Sequence, residues 1–197
     1  TKLASEAQIF VYEHLKKVGK VDKIDLLLYT RGGMTDSVLP LVNLFRSYCK
    51  EFSVLVPYFA HSAGTLICLG ADNIVMGEMG ELSPIDPTTA NQFNPRLIPK
   101  DPGSPQIGIS VEDVISYIEL AKDEKIGIKE NSPEMLSVFQ TLSSKVHPLA
   151  LGNVYRIYEQ IRSIAKKLLE MNAKKLNKTK LKLNQIVVVF IKELYSH

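Results

Sequence analysis

The sequence predicts an α/β protein built around a parallel β-sheet. Between residues 24 and 76, short apolar runs that suit buried strands alternate with longer runs of helical spacing. The strand-like runs are residues 24–29, 52–58 and 73–76, and a helix-like run follows each of the first two. Because strand–helix–strand repeats form parallel sheets through right-handed crossovers, this order favours a parallel sheet of βα units.

Helices are predicted before the first strand and between the first two strands. Residues 4–18 place apolar side chains at helical spacing, and Gly19 is a suitable stop. Asp36 or Ser37 can cap a second helix that runs to about Tyr48. These helices are expected to cover the sheet.

The second half of the sequence predicts an irregular loop followed by helices. Residues 77–105 hold six of the ten prolines and form a loop long enough to be functional. Ser110 begins a capping box that opens a helix to about Lys122. Further helices are predicted over residues 133–144, 149–171 and 180–195. We therefore expect a single domain over residues 1–197, with about 149–197 as a helical C-terminal extension.

Composition indicates a globular protein in a reducing compartment. The chain has 197 residues, of which 45% are hydrophobic, which is enough for one well-buried core. Its basic excess is concentrated in lysines between residues 166 and 182 that lack interleaved aromatic residues, so no nucleic-acid partner is expected. Its longest apolar run, 186–191, falls short of the roughly 18 residues that span a bilayer. Cys49 and Cys68 show no metal-ligand spacing, and we expect a cytoplasmic protein.

Two small-residue turns follow the first two strands. Gly32 and Gly33 come after the first strand, and Ser62 comes after the second, directly before an apolar helical run. Paired glycines let a substrate approach their backbone N–H groups. A serine at a helix N-terminus lies where N–H groups favour developing negative charge. Taken alone, each turn is more typical of an ordinary connection. Together they indicate acyl chemistry with Ser62 as nucleophile.

Four motifs occur in order around these turns. They are Tyr29-Thr30-Arg31-Gly32-Gly33, Ala60-His61-Ser62-Ala63-Gly64-Thr65, Leu69-Gly70-Ala71-Asp72-Asn73-Ile74-Val75-Met76 and Leu82-Ser83-Pro84-Ile85-Asp86-Pro87. This set resembles the Clp protease/crotonase superfamily and, within it, the serine dehydrogenase proteinase family. The resemblance implies a Clp/crotonase-like fold and serine-dependent hydrolysis of a peptide or protein substrate. Because members of that family often carry an N-terminal membrane segment, it also implies possible membrane association through a segment absent from this chain.

Self-association is expected on two grounds. Proteins of the resembling family form rings or smaller closed oligomers. The predicted C-terminal helices are also rich in apolar residues, among them Leu168 and the run 186–191, which a closed symmetric assembly would bury. The alternative is that these residues fold back onto the sheet of their own chain.

The resemblance also implies roles for individual residues. A serine nucleophile needs a base and a group that orients the base. The resemblance implies Ser, Asp and His in that order, so Asp86 fits as the orienting acid, although Asp before Pro also initiates ordinary turns. His197 resembles the family's Ser/Thr-His motif and is the first candidate for the base, and His147 is the second. A lysine base, as in signal peptide peptidases, is the alternative.

The oxyanion hole is assigned to backbone amides of the two turns. The N–H groups of Gly33 and Ala63 would hold the oxyanion, and Gly32 forms the other half of the glycine turn. This chemistry needs no metal or organic cofactor. Two other functions remain open. One is a crotonase-like enzyme that holds the enolate of an acyl thioester with the same amides, and the other is an inactive Clp-like scaffold.

Overall fold

The structure is a computed structural model, and it describes residues 6–98, 103–123, 128–129 and 132–176. The chain divides into two compact units. The first comprises Thr1–Ile85 and Ile161–His197, and the second comprises Asp86–Gln160. The single domain expected from the sequence stays a prediction, and the helix predicted over 180–195 lies outside the described residues.

The first unit is built on a parallel sheet. Strands β1 (Val21–Leu27), β2 (Cys49–Val56) and β4 (Asn73–Met76) lie in the order β1-β2-β4, and both pairings are parallel. The predicted α/β class and parallel sheet are therefore confirmed. The third predicted strand has the bounds expected from the sequence.

The first two strands begin earlier than their apolar runs, at Val21 rather than 24 and at Cys49 rather than 52. Four of the six added residues are charged, and these four pair across the two strands. Lys50 Nζ lies 2.7 Å from Asp22 Oδ1, and Lys23 Nζ lies 3.8 Å from Glu51 Oε1. Apolar periodicity cannot report a strand end whose side chains pair in solvent, which is why the predicted starts were late.

Both strands also end before the predicted residues 29 and 58, because the chain leaves the first sheet to form a short second pairing. Strand β3 (Phe59–Ala60) pairs in parallel with β5 (Glu81–Leu82). A further parallel bridge joins Thr30 to Ala60. The chain segments that follow β1, β2 and β4 therefore meet at the carboxyl ends of the first sheet, where ligands of parallel sheets bind.

Three helices of the first unit follow the predicted pattern. Helix α1 (Glu6–Val18) ends at Gly19, whose φ of +78° suits glycine and whose N–H donates to Leu15 O at 2.8 Å. Helix α2 (Val38–Tyr48) packs its apolar side on the sheet, where the Phe45 ring stacks on Phe52 with 5.1 Å between centroids. Every residue of α3 (Ala63–Leu69) is buried.

The start of α2 differs from the sequence prediction in its capping. Ser37 occupies the N-cap position, but its side chain makes no capping hydrogen bond. A 3-10 turn over Thr35–Ser37 leads into the helix instead. Tightening of the chain by i to i+3 hydrogen bonds is a common substitute for side-chain capping at a helix start.

The last turns of helix α6 (Pro148–Leu176) pack inside the first unit. Leu168 is fully buried, and Asn172 Nδ2 donates to the carbonyls of Leu69 and Ala71 at 2.9 and 2.6 Å. Arg46 Nε donates to Gly70 O at 2.9 Å, next to these contacts. Leu168 therefore packs within its own chain, and the prediction that this residue contributes to a self-association surface is wrong.

The second unit is a small antiparallel pairing with three helical segments. Strands β6 (Thr88–Thr89) and β7 (Ile109–Ser110) precede helices α4 (Val111–Lys122) and α5 (Pro133–Lys145) and the start of α6. The Ser110 hydroxyl accepts from Asp113 N–H at 3.0 Å, as the predicted cap requires. Within the ranges that the structure describes, no helix is both long and apolar enough to cross a bilayer.

We predict that Gly70→Ala destabilises the protein by about 1–3 kcal/mol, the usual cost of overpacking. An added Cβ at Gly70 would lie 2.7 Å from Val42 Cγ1 and 2.9 Å from Leu168 Cδ2. Gly152 in α6 is the matched control, because a Cβ there meets nothing within 4 Å. Gly152→Ala should stabilise by about 0.5–1 kcal/mol through helix propensity. Urea unfolding of both variants measures the difference, and equal stabilities would contradict the packing at Gly70.

Candidate active site

Ser62 adopts a strained backbone conformation at the start of α3. Its φ is +52° and its ψ is −112°, and no other non-glycine residue in the described part of the chain has a positive φ. A side-chain-bearing residue in such a region costs about 1–3 kcal/mol and persists only where the surroundings enforce it. The sequence predicted a small-residue turn here, and the structure adds that the backbone of this turn is strained at Ser62 itself.

The glycine turn lies against Ser62. A Cβ built on Gly32 would approach Ser62 Cβ to 2.8 Å, His61 O to 3.0 Å and Ser62 Oγ to 3.3 Å, and the φ of Gly32 is +100°. No other residue type fits both this conformation and this contact. Because both turns follow strands of the predicted parallel sheet, both are expected at its carboxyl edge, and the structure brings Gly32 and Ser62 into contact.

Thr30 fastens the two turns together. Its hydroxyl accepts from Gly32 N–H at 3.1 Å, and its carbonyl accepts from His61 N–H at 3.0 Å. The side chain is buried, and a Cβ on Gly64 would clash with its Cγ2 at 2.6 Å. One buried threonine therefore contacts Gly32 and, on the two sides of Ser62, His61 and Gly64.

The backbone of Ser62 is also held from the opposite side. Its N–H donates to Ser83 Oγ at 2.8 Å. Thr65 Oγ1 lies 2.9 Å from both Ala60 O and Ser83 O, and it accepts from Ser83 N–H at 3.2 Å. The hydroxyls of Ser83 and Thr65 therefore connect Ser83, which follows β5, to the backbone of Ser62 and to the start of α3. The Thr65 hydroxyl also contacts the carbonyl of Ala60, before the serine turn. Sequence reasoning missed Ser83, although it stands in the fourth quoted motif.

Ala63 and Gly33 are the residues whose N–H groups the sequence predicts to form an oxyanion hole, and that role stays a prediction. Ala63 is the first residue of α3, so its N–H has no acceptor within that helix. Gly33 has a φ of +150°, which favours glycine. Since α3 contains only seven residues, its dipole adds little to the stabilisation of a negative charge. That stabilisation would come from the individual N–H groups.

The His61 side chain contacts Glu81 and Phe59 rather than Ser62. Its Nε2 pairs with Glu81 Oε1 at 2.6 Å, and its ring stacks on Phe59 with 4.8 Å between centroids. Within the described ranges, no side chain hydrogen-bonds to Ser62 Oγ. Cys68 is no competing nucleophile in this helix, because burial raises the pKa of its thiol to about 12.

Asp86 and His147 belong to the second unit, and each caps a helix there. The Asp86 carboxylate accepts from Ser110 Oγ at 3.0 Å and from Glu112 N–H at 3.2 Å, at the start of α4. His147 Nδ1 accepts from Leu149 N–H at 3.2 Å. The catalytic roles of Asp86 and His147 stay predictions, and His197 lies outside the described residues.

Part of the chain matches a known protein family. Residues 7–100 match the model of the ClpP-like SDH-type serine proteinase family. The resemblance expected from the sequence motifs is therefore confirmed for the part of the chain that contains both turns. The parallel sheet and this match make residues 7–100 similar to the ClpP-like SDH-type serine proteinases.

Two relatives come from Methanocaldococcus jannaschii. They are the uncharacterized proteins MJ0137 and MJ1495, and each is 33% identical to this chain, over 84 and 64 residues respectively. The alignments cover 43% and 32% of this chain but 29% and 22% of the relatives. The chain thus spans less than a third of the length of the relatives that it matches.

We predict that Gly32→Ala slows the reaction of Ser62 with a fluorophosphonate probe by about 10²-fold, because the new Cβ displaces the nucleophile and small displacements cost that much. The measurement is the second-order rate constant of labelling, followed by mass spectrometry of the Ser62 peptide.

Gly19→Ala is the matched control for backbone strain. Gly19 also has a positive φ, +78°, but a Cβ there meets nothing within 4 Å. This variant should lose stability through strain while Ser62 keeps its labelling rate. Equal slowing by both substitutions would mean that loss of stability, and not the contact between Gly32 and Ser62, sets the rate.

Proposed function

We propose that this protein is a serine peptidase in which Ser62 is the nucleophile. The observation that carries the proposal is the strained, hydrogen-bonded turn that holds Ser62 against Gly32. The family match over residues 7–100 supports the same reaction class. We further propose the Clp/crotonase-like fold for the whole domain, on the strength of the parallel sheet and the site at its carboxyl edge.

In the proposed reaction, Ser62 Oγ bonds to the carbonyl carbon of a peptide substrate. The serine proton passes to a base and then to the leaving amine, and water later hydrolyses the acyl-enzyme. The N–H groups of Gly33 and Ala63 hold the oxyanion. Asp86 would orient the base, which is His197 or His147. The chemistry requires no metal or organic cofactor.

An inactive scaffold is the second candidate. It is favoured by one observation, namely that no side chain within the described ranges hydrogen-bonds to Ser62 Oγ. A scaffold of this kind would keep the turn for its fold and would not acylate. The two candidates therefore differ in a single measurable reaction.

We predict that a fluorophosphonate labels the protein at Ser62 and that Ser62→Ala abolishes the label without loss of fold. Removal of this hydroxyl breaks none of the hydrogen bonds described above, so the melting temperature should change little. Ser83→Ala is not a suitable control because Ser83 contacts the turn, whereas Ser47→Ala removes an exposed hydroxyl on α2 and should keep the label. Equal labelling of Ser62→Ala and the parent would exclude Ser62, and no labelling of either would favour the scaffold.

We also propose that the protein self-associates through the β4 edge of the parallel sheet in the first unit. The edge strand β4 exposes Ile74, Val75 and Met76, each by at least 40%. A second copy would remove this apolar surface from water. Light scattering should give a concentration-independent multiple of 22.0 kDa, which Val75→Lys should reduce. A monomeric mass at micromolar concentration would contradict the proposal.

A further inference from the structure

The amide of Ser62 has an acceptor outside its own helix, and that acceptor is a side chain. Ser83 Oγ accepts from Ser62 N–H at 2.8 Å and donates to Pro84 O at 2.9 Å. The single hydroxyl proton is therefore committed to Pro84, and a lone pair is left to face Ser62. The direction of this hydrogen bond is fixed, and the hydroxyl cannot instead donate to the substrate.

Ser83 itself is held in place by regular structure and by Thr65. It follows β5, whose last residue, Leu82, pairs with Ala60 of β3. Its N–H donates to Thr65 Oγ1 at 3.2 Å, and its carbonyl lies 2.9 Å from the same oxygen. Because Thr65 is fully buried, this anchor is shielded from competing water. Ser83 is thus a rigid partner for a strained residue.

The hydrogen bond also decides which amides remain for an oxyanion. The N–H of Ser62 points to Ser83, so it is not available to a substrate oxygen. The N–H of Ala63, one residue later, has no acceptor in its helix. The peptide group that carries the Ala63 N–H is joined to the Ser62 N–H through the φ and ψ of Ser62. If Ser62 left its positive-φ conformation, the Ala63 N–H would therefore change direction relative to the Ser62 amide.

We propose that Ser83 is a positioning residue for the nucleophile: its hydroxyl holds the Ser62 amide in the positive-φ conformation and thereby aims Ser62 Oγ and the Ala63 N–H. The inference rests on the proposed function and adds to it a residue that touches no reacting atom. A misplacement of about 1 Å can cost about 10²-fold in rate. The loss should appear in the bond-forming step more than in binding.

The test compares fluorophosphonate inactivation of the parent, Ser83→Ala and Ser83→Thr, with kinact and KI measured separately. Ser83→Ala should lower kinact by about 10- to 100-fold and leave KI within about twofold. Ser83→Thr keeps the hydroxyl and should restore most of kinact. Ser53→Ala is the control, since it removes another serine hydroxyl of the first unit, one that is buried and accepts from Asn73 Nδ2 at 3.5 Å. It should leave kinact unchanged.

The outcomes separate this inference from the proposed function. Labelling of the parent at Ser62 together with an unchanged kinact in Ser83→Ala overturns the role of Ser83 alone. Equal losses in the alanine and threonine variants also overturn it, because the hydroxyl would then not be the group that matters. A parent that forms no adduct at Ser62 overturns both proposals.

Stability is monitored in the same samples, since Ser83→Ala leaves the Ser62 amide without its acceptor. If that variant does not fold, Ser83→Cys replaces it, because a thiol fills the site but accepts hydrogen bonds weakly. A folded Ser83→Cys protein with parental kinact would overturn the inference. A cysteine variant whose kinact falls below that of the threonine variant would support it.

Discussion

The positive φ of Ser62 is the constraint on which the rest of the first unit depends. A conformation that costs about 1–3 kcal/mol exists only if several contacts enforce it. Here the enforcing groups come from three chain segments: Thr30 after β1, Thr65 within α3, and Ser83 after β5. These segments meet because parallel strands bring their carboxyl ends to one edge of the sheet. The strained conformation of Ser62 therefore requires a sheet topology that brings these three segments together.

Much of this fold could be predicted because it depends on apolar periodicity. The order of strands and helices, the Gly19 stop and the Ser110 cap all follow from local pattern and residue type. The starts of β1 and β2 could not be predicted in this way, because their first residues are held by exposed ion pairs such as that of Lys50 with Asp22. Nor does residue type alone show that Ser37, at an N-cap position, leaves its hydroxyl out of the cap.

The same distinction applies to the site: local pattern and residue type predict some of its residues, whereas others depend on single polar contacts. Gly32 and Ser62 could be placed together from sequence, since each follows a parallel strand and their small-residue turns had to share an edge. Ser83 was missed because its contribution is one hydroxyl aimed at a backbone N–H, and a serine in a Pro-rich segment has no pattern that distinguishes this from an ordinary turn. Asp86 illustrates the opposite problem, in which residue type predicts a role that a second role could equally explain. Its carboxylate, predicted to orient the catalytic base, also accepts hydrogen bonds at the start of α4.

The use of hydroxyls, rather than apolar packing, to hold the turn has a physical consequence for the site. Apolar contacts are non-directional and tolerate small shifts, whereas a hydrogen bond weakens steeply when its angle changes. Ser83 therefore holds the direction of the Ser62 amide, while Thr30 holds His61 beside it and Thr65 holds Ser83. Oxyanion stabilisation also depends on the direction of N–H groups, and the direction of the Ala63 N–H relative to the Ser62 amide is set by the φ and ψ of Ser62. A turn fixed by directional contacts is thus suited to present the Ala63 N–H at a constant angle, which a turn held by apolar packing alone would not ensure.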